Sequence, residues 1–220
     1  MRIALLAYPR SGSTLLRLLI SYILKTRPRQ AKGQVCSLQE IIDYDLNDDV
    51  RFHKFHYCHE MHNSHFIGGG INALIGLFRD PIENMMSMAV YNGLSLHKIS
   101  EVNIAGQMKR FMQNIYHYHT FNGEKKLAVI YEDMINELHN EAKRIANYFD
   151  VTLSEADLLK ISELQSRCFA LKTQRLSEQC LTRGQDTKFY FNSLDEDRKK
   201  SIIEVTKPAY EKLKQHSIFK

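Results

Sequence analysis

The segment Ile3-Ala4-Leu5-Leu6-Ala7-Tyr8 is apolar on both parities and runs straight into Pro9-Arg10-Ser11-Gly12-Ser13-Thr14, followed by a mostly apolar stretch over residues 15–25. A strand apolar on both faces has to be covered on both faces, which predicts a central strand between two layers of helix. A helix that starts directly after such a strand points its unpaired N–H groups and the positive end of its dipole back at the turn, so the turn suits a phosphate. Gly12 permits close backbone approach, Arg10 supplies a planar charged fork, and Ser13 and Thr14 add hydroxyls. The same residues also read as an ordinary strand-to-helix turn with a hydroxyl cap, and the rest of the chain has to decide between the two.

Downstream, short apolar runs alternate with helical periodicity. Strands are expected over residues 50–57, over Ala73–Phe78 after Gly68-Gly69-Gly70, and over 127–131. Helices are expected over 37–46, from Pro81 to about Tyr91, and over 101–121, 134–149 and 195–214, with a loop at 25–32 around Pro28. This is an α/β pattern. The 220 residues show no linker or repeat, so one domain over residues 1–220 is expected.

Composition narrows the class further. Hydrophobic residues at 44% and charged residues at 25% exclude wholesale disorder. Thirty basic against twenty-five acidic residues leave +5, enough to help attract an anion but short of a nucleic-acid-binding composition, so no nucleic-acid partner is expected. Cys36, Cys58, Cys168 and Cys180 form no C-x-x-C pair, which removes a four-cysteine zinc site and a thioredoxin motif and leaves reduced thiols. The apolar run over 15–24 is interrupted by Arg17 and Ser21 and is far shorter than the ~20 residues a bilayer span needs. Residues 1–8 are too short an apolar run for a secretory leader, and the expectation is a cytoplasmic protein with no transmembrane segment.

Three further motifs bear on the phosphate question. Arg79-Asp80-Pro81 closes a predicted strand and Ser87 follows eight residues after the arginine, so a guanidinium and a hydroxyl about two helical turns on could grip one phosphate; R-D-P is also a common helix start. Ala128-Val129-Ile130-Tyr131-Glu132-Asp133-Met134 is a strand ending in Y-E-D, and Glu132 and Asp133 read as acids at a helix start. Thr182-Arg183-Gly184 precedes Asp186 and Phe189-Tyr190-Phe191. The nucleoside-triphosphate loop G-x-x-x-x-G-K-[ST] is absent, since neither its first Gly nor its Lys is present around Gly12.

Together these motifs resemble those of sulfotransferases that use 3′-phosphoadenosine 5′-phosphosulfate (PAPS), over residues 8–191. The resemblance implies a P-loop-like three-layer sandwich with a central parallel sheet flanked by helices. It assigns Arg10, Ser11, Gly12, Ser13 and Thr14 to the 5′-phosphosulfate, Arg79 and Ser87 to the 3′-phosphate, Tyr131 to the vicinity of the adenine, and Arg183 and Gly184 to the segment that closes over the 3′-phosphate. The donor is then PAPS, the product 3′-phosphoadenosine 5′-phosphate (PAP), and no metal is needed. The chain departs from the family in having Thr182-Arg183-Gly184 for R-K-G, Leu15 where many relatives have Trp, and no Trp at all.

His53, His56, His59, His62 and His65 recur every third residue. On a helix they would share a face and, with Cys58 and Glu60, suit a metal; the alternation of residues 52–57 instead reads as a strand, which throws His53 and His56 to opposite faces. The resemblance selects Lys54-Phe55-His56, similar to the family's K-T-H, and implies that His56 takes the proton of the acceptor hydroxyl while Arg10 and Lys54 stabilise the charge that develops. The acceptor is expected to be a hydroxyl of a small molecule, glycan or lipid headgroup, walled by residues 91–121 with Tyr91, His97, Phe111, Tyr116, His117, Tyr118 and His119. Two alternatives stand beside this reading: a small-molecule kinase using Asp80 for Mg²⁺, and a non-catalytic ligand- or metal-binding module.

Overall fold

The apolar runs become five strands, β1 (Arg2–Ala7), β2 (Pro28–Gln30), β3 (Arg51–Phe55), β4 (Ala73–Phe78) and β5 (Lys125–Ile130). The structure is a computed structural model and describes residues 1–26, 28–30, 51–55, 71–91, 104–123, 125–177, 191–192 and 194–218. All the pairings are parallel, in the order β2-β3-β1-β4-β5, with Leu5 opposite Lys54 on one side and Ile75 on the other. Seven helices complete the described residues: α1 (Ser13–Leu24), α2 (Pro81–Tyr91), α3 (Ile104–Thr120), α4 (Tyr131–Asn136), α5 (Leu138–Tyr148), α6 (Glu155–Ser177) and α7 (Glu196–Ile218).

The period of two in the strands divides the core. Ile3, Leu5, Ile75, Leu77 and Val129 face α1, α5 and α6; Ala4, Leu6, Leu74, Phe78 and Ile130 face α2, α3 and α7. The result is the expected three-layer sandwich. Each fully buried Leu or Ile contributes roughly 1.5–3 kcal/mol through burial, so β1 and β4, buried on both faces, are expensive strands to disturb. From β1 the chain goes out to β2 and β3 on one side and returns to β4 and β5 on the other, so the carboxyl ends of β1 and β4 flank the crevice where α/β sheets take ligands.

Several boundaries differ from the expectation. Residues 28–30 form a strand instead of a loop; β2 is the sheet edge, where Pro28 as first residue removes no needed ladder donor. The fifth strand starts at Lys125 and ends at Ile130, and Tyr131 is already helical. The single helix expected over 134–149 is two, broken at Glu137 (φ −130°, ψ 47°), although the apolar stripe Met134, Leu138, Ala142 and Ile145 continues across the break and hides it from periodicity. The last helix runs on to Ile218. The expected helix over 37–46 lies outside the described residues.

A reciprocal cap starts α6. Ser154 Oγ accepts from the Asp157 N–H (3.2 Å), and Asp157 Oδ2 accepts from the Ser154 N–H (2.9 Å) and hydroxyl (2.6 Å). The other carboxylate oxygen accepts from Tyr22 Oη (2.8 Å), tying α1 to α6. Cys168 is buried on α6 and is not in a disulfide.

Candidate donor-phosphate site

The turn after β1 is closed from within. The Tyr8 carbonyl accepts from both the Ser11 N–H (3.2 Å) and the Ser11 hydroxyl (2.6 Å). Ser11 is fully buried, and both its donors brace the turn. Arg10 (φ 67°) and Gly12 (φ 93°) are both left-handed, a conformation that curls successive N–H groups into a concavity. The N–H groups of Leu15 and Leu16 bond back to the Gly12 carbonyl, and those of residues 12–14 have no acceptor within the helix. Gly12 is required twice over: by its φ, and because a Cβ there would collide with the Tyr131 ring. It caps α1 without a side-chain bond, so Ser13 and Thr14 sit in the first turn and are not the cap.

Arg79 follows the last residue of β4 and reaches across to this turn. Its Nη1 donates to the Arg10 carbonyl (3.1 Å), its Nη2 lies 3.4 Å from Glu83 Oε2, and its Cζ stands 4.6 Å from the centroid of the Tyr131 ring. Its Nε is enclosed and has no partner. Arg10 Nε donates to Ser87 Oγ (3.4 Å). Residues 69 and 77 positions apart are thus joined in a half-buried cluster of two guanidinium groups, a hydroxyl and an aromatic ring around a glycine-lined turn. Such a cluster has the chemistry to take a multiply charged anion.

Asp80 has a structural task. Its Oδ1 accepts from the N–H groups of Ile82 (2.9 Å) and Glu83 (3.1 Å), capping α2, and its own N–H donates to Glu132 Oε1 (3.0 Å). The other oxygen of Glu132 accepts from the Tyr210 hydroxyl (2.5 Å). Glu132 therefore clamps the starts of α2 and α4 to α7, a role that its place in Y-E-D does not reveal. Burial first, and the Glu132 bond second, push the Tyr210 hydroxyl up.

Lys54 is half-buried on β3, paired in register with Leu5, so it lies on the sheet face that α1 covers, while the adjacent Phe55 is buried on the other face. The structure thus brings Arg10, Ser11, Gly12, Ser13, Thr14, Arg79, Ser87 and Tyr131 together, with Lys54 one strand away. His56, Arg183 and Gly184 lie outside the described residues, as do His59, His62 and His65; of the ladder only His53 falls on a described strand. The expected acceptor wall is corrected in part. Phe111 and Tyr118 are core residues, with rings edge-on to Tyr8 and Phe78 at 6.1 and 5.4 Å, and Tyr116 is 70% exposed. The pattern of α3 explains this: its aromatic residues mark the side packed on the sheet, and the one displaced from that side faces outward.

No family model matches this chain, and no curated protein matches it. Solved structures do. Mouse sulfotransferase SULT7A1 complexed with PAP superposes with a TM-score of 0.59 at 16% identity, over 98% of this chain and 88% of that one. Retinol dehydratase in complex with androsterone and the inactive cofactor PAP gives a TM-score of 0.62 at 17% identity, over 94% of this chain and 80% of that one. The three layers and the parallel sheet therefore make up the sulfotransferase fold, and this chain has it.

Proposed function

We propose that this chain is a PAPS-dependent sulfotransferase. The observation that carries the reading is the convergence of Arg10, Arg79 and Ser87 on a turn where only glycine fits at position 12, on a fold shared with two PAP complexes. The N–H groups of residues 12–14 and Arg10 would hold the 5′-phosphosulfate, Arg79 and Ser87 the 3′-phosphate with Arg183 and Gly184 closing over it, and Tyr131 would flank the nucleoside. The enclosed, unpartnered Nε of Arg79 fits a phosphate oxygen.

Transfer is in line. The acceptor oxygen forms a bond to sulfur as the bond from sulfur to the 5′-phosphate oxygen breaks, His56 takes the acceptor proton, and PAP leaves. Arg10, Lys54 and the turn N–H groups stabilise negative charge on the equatorial sulfuryl oxygens and the leaving phosphate. The protein positions and neutralises, and no metal is assigned a step. Retinol dehydratase was solved in complex with both androsterone and PAP, which supports a small-molecule acceptor here. No helix among the described residues is long and apolar enough to cross a membrane, and the reading places the enzyme in the cytoplasm.

Two measurements test this: calorimetry with PAP and with ATP plus Mg²⁺, and transfer of labelled sulfate from PAPS. Saturable PAP binding and label transfer are expected. Binding of ATP with Mg²⁺ but not PAP makes the chain a kinase, against which the capping duty of Asp80 already weighs. PAP binding without transfer to any acceptor makes it a binding module.

A further inference from the structure

Arg17 lies in the middle of α1 and is only 3% exposed, yet its Nε and Nη2 are enclosed with no hydrogen-bond partner. One turn further on, Ser21 is fully buried and its Oγ also has no partner. An isolated buried charge costs several kcal/mol, so one left without a partner by the fold calls for an explanation, and an incoming group of opposite charge is one. Among the described residues no carboxylate does so.

Position identifies the visitor. Tyr22 marks the flank of α1 that meets α6, and at roughly 100° per residue Arg17 and Ser21 lie about 140° and 100° round the helix from it, on the opposite flank. α1 also packs against β2, beyond β3 in the sheet, and Lys54 of β3 stands on the face that α1 covers. A helical side chain leans toward the N-terminus, which carries the Arg17 guanidinium back toward Ser13 and the phosphate turn. Arg79 and Ser87, by contrast, come from β4 and α2, on the other side of β1. The donor phosphates already have that second set, so the charge left over on the Lys54 side answers to the other reactant.

We propose that Arg17, with Ser21, is the acceptor-recognition site of this enzyme, and that the acceptor is a hydroxyl compound carrying a carboxylate. The planar fork of Arg17 matches a carboxylate through two N–H donors, and Ser21 adds a hydroxyl. The inference rests on the sulfotransferase reading for the hydroxyl but not for the carboxylate.

The test uses the full chain, Arg17→Met as a variant of similar volume without charge, and two probe pairs: 4-hydroxybenzoate with 4-hydroxybenzamide, and glucuronate with glucose. Thermal shift is read first and needs no activity: an acid should stabilise the wild type more than its neutral partner, and Arg17→Met should lose that difference. The variant without ligand should melt at or above the wild-type temperature, because it removes a buried unpaired charge. PAP affinity should be unchanged. With labelled PAPS, KM for the preferred acid should rise about ten- to a hundredfold in the variant, and KM for the neutral partner should not. No preference for the acid in either pair, a lower melting temperature for the variant, or a loss of PAP affinity would each overturn the proposal, the last two by making Arg17 a fold residue or a donor residue. Absence of PAP binding and transfer with the acid-selective shift intact would overturn the sulfotransferase reading and leave the carboxylate site standing.

Discussion

Arg79 donates from Nη1 to the backbone carbonyl of Arg10, 3.1 Å away, so the residue proposed to bind the 3′-phosphate also holds the turn proposed to bind the 5′-phosphate. On that proposal the two ends of the donor are coupled through one side chain.

That coupling sets the expectation for Arg79→Ala. Affinity for PAP should fall by about 1.5–3 kcal/mol, the range for hydrogen bonds to charged groups, and adenosine 5′-phosphate should lose a smaller amount, about 0.5–1.5 kcal/mol, through the loosened turn. Calorimetry with both nucleotides checks it. Equal losses would make Arg79 a brace for the turn and nothing more.

Gly12→Ala should destabilise through two separable effects. The left-handed φ of 93° costs a Cβ-bearing residue about 1–2 kcal/mol, and the Cβ also meets the Tyr131 ring. The double variant with Tyr131→Ala removes the second effect and keeps the first. For a chain of this size each kcal/mol moves the melting temperature by about 2–4 °C, so scanning calorimetry on the single and double variants separates them. A Gly12→Ala protein that melts with the wild type would contradict the geometry of the turn.

The α6 cap predicts how stability responds to pH. The Ser154 hydroxyl, then the Ser154 N–H and the Tyr22 hydroxyl, hold the Asp157 carboxyl below its ordinary value. Its contribution is complete above the unfolded value of about 3.9 and is lost as pH falls through the lower folded value. Burial first, and Asp157 next, push the Tyr22 hydroxyl up to about 12, so that contribution is complete below about pH 10 and is lost as pH rises toward 12. Ser154→Ala should cost about 0.5–2 kcal/mol at neutral pH. Melting temperature followed into acid and alkali should show Asp157→Asn flattening the acid limb and Tyr22→Phe the alkaline one.

His56→Ala should lower kcat by about 10²–10⁴ and leave the affinity for PAP unchanged, because a general base acts in the transition state. Alanine at His53, His59, His62 or His65 should do much less, and a chelator should change nothing. If several of the five substitutions fail together and metal restores activity, the ladder is a metal site.

The sequence alone determined the layers and the tight turn after β1, because both are local. Continuous apolar runs, on both parities, over Ile3 to Ala7 and Ala73 to Phe78 state which strands are covered on both faces, and Pro9-Arg10-Ser11-Gly12 between strand and helix states where the tight turn falls. That Arg79 and Ser87 stand near one strand end was legible for the same reason, but that Ser87 bonds to Arg10 and Arg79 to the Arg10 carbonyl was not. Tertiary structure decided what depends on contacts between distant residues. Ser11 turns inward, Glu132 becomes a clamp through Tyr210, 78 positions away, and the apolar stripe from Met134 to Ile145 spans two helices where it reads as one. Arg17 is the sharpest case. In the sequence it is one charge that interrupts an apolar run, and only the packing of α1 among the sheet and its neighbours takes that charge out of water, because burial is a property of everything around a residue and of nothing in its own neighbourhood along the chain.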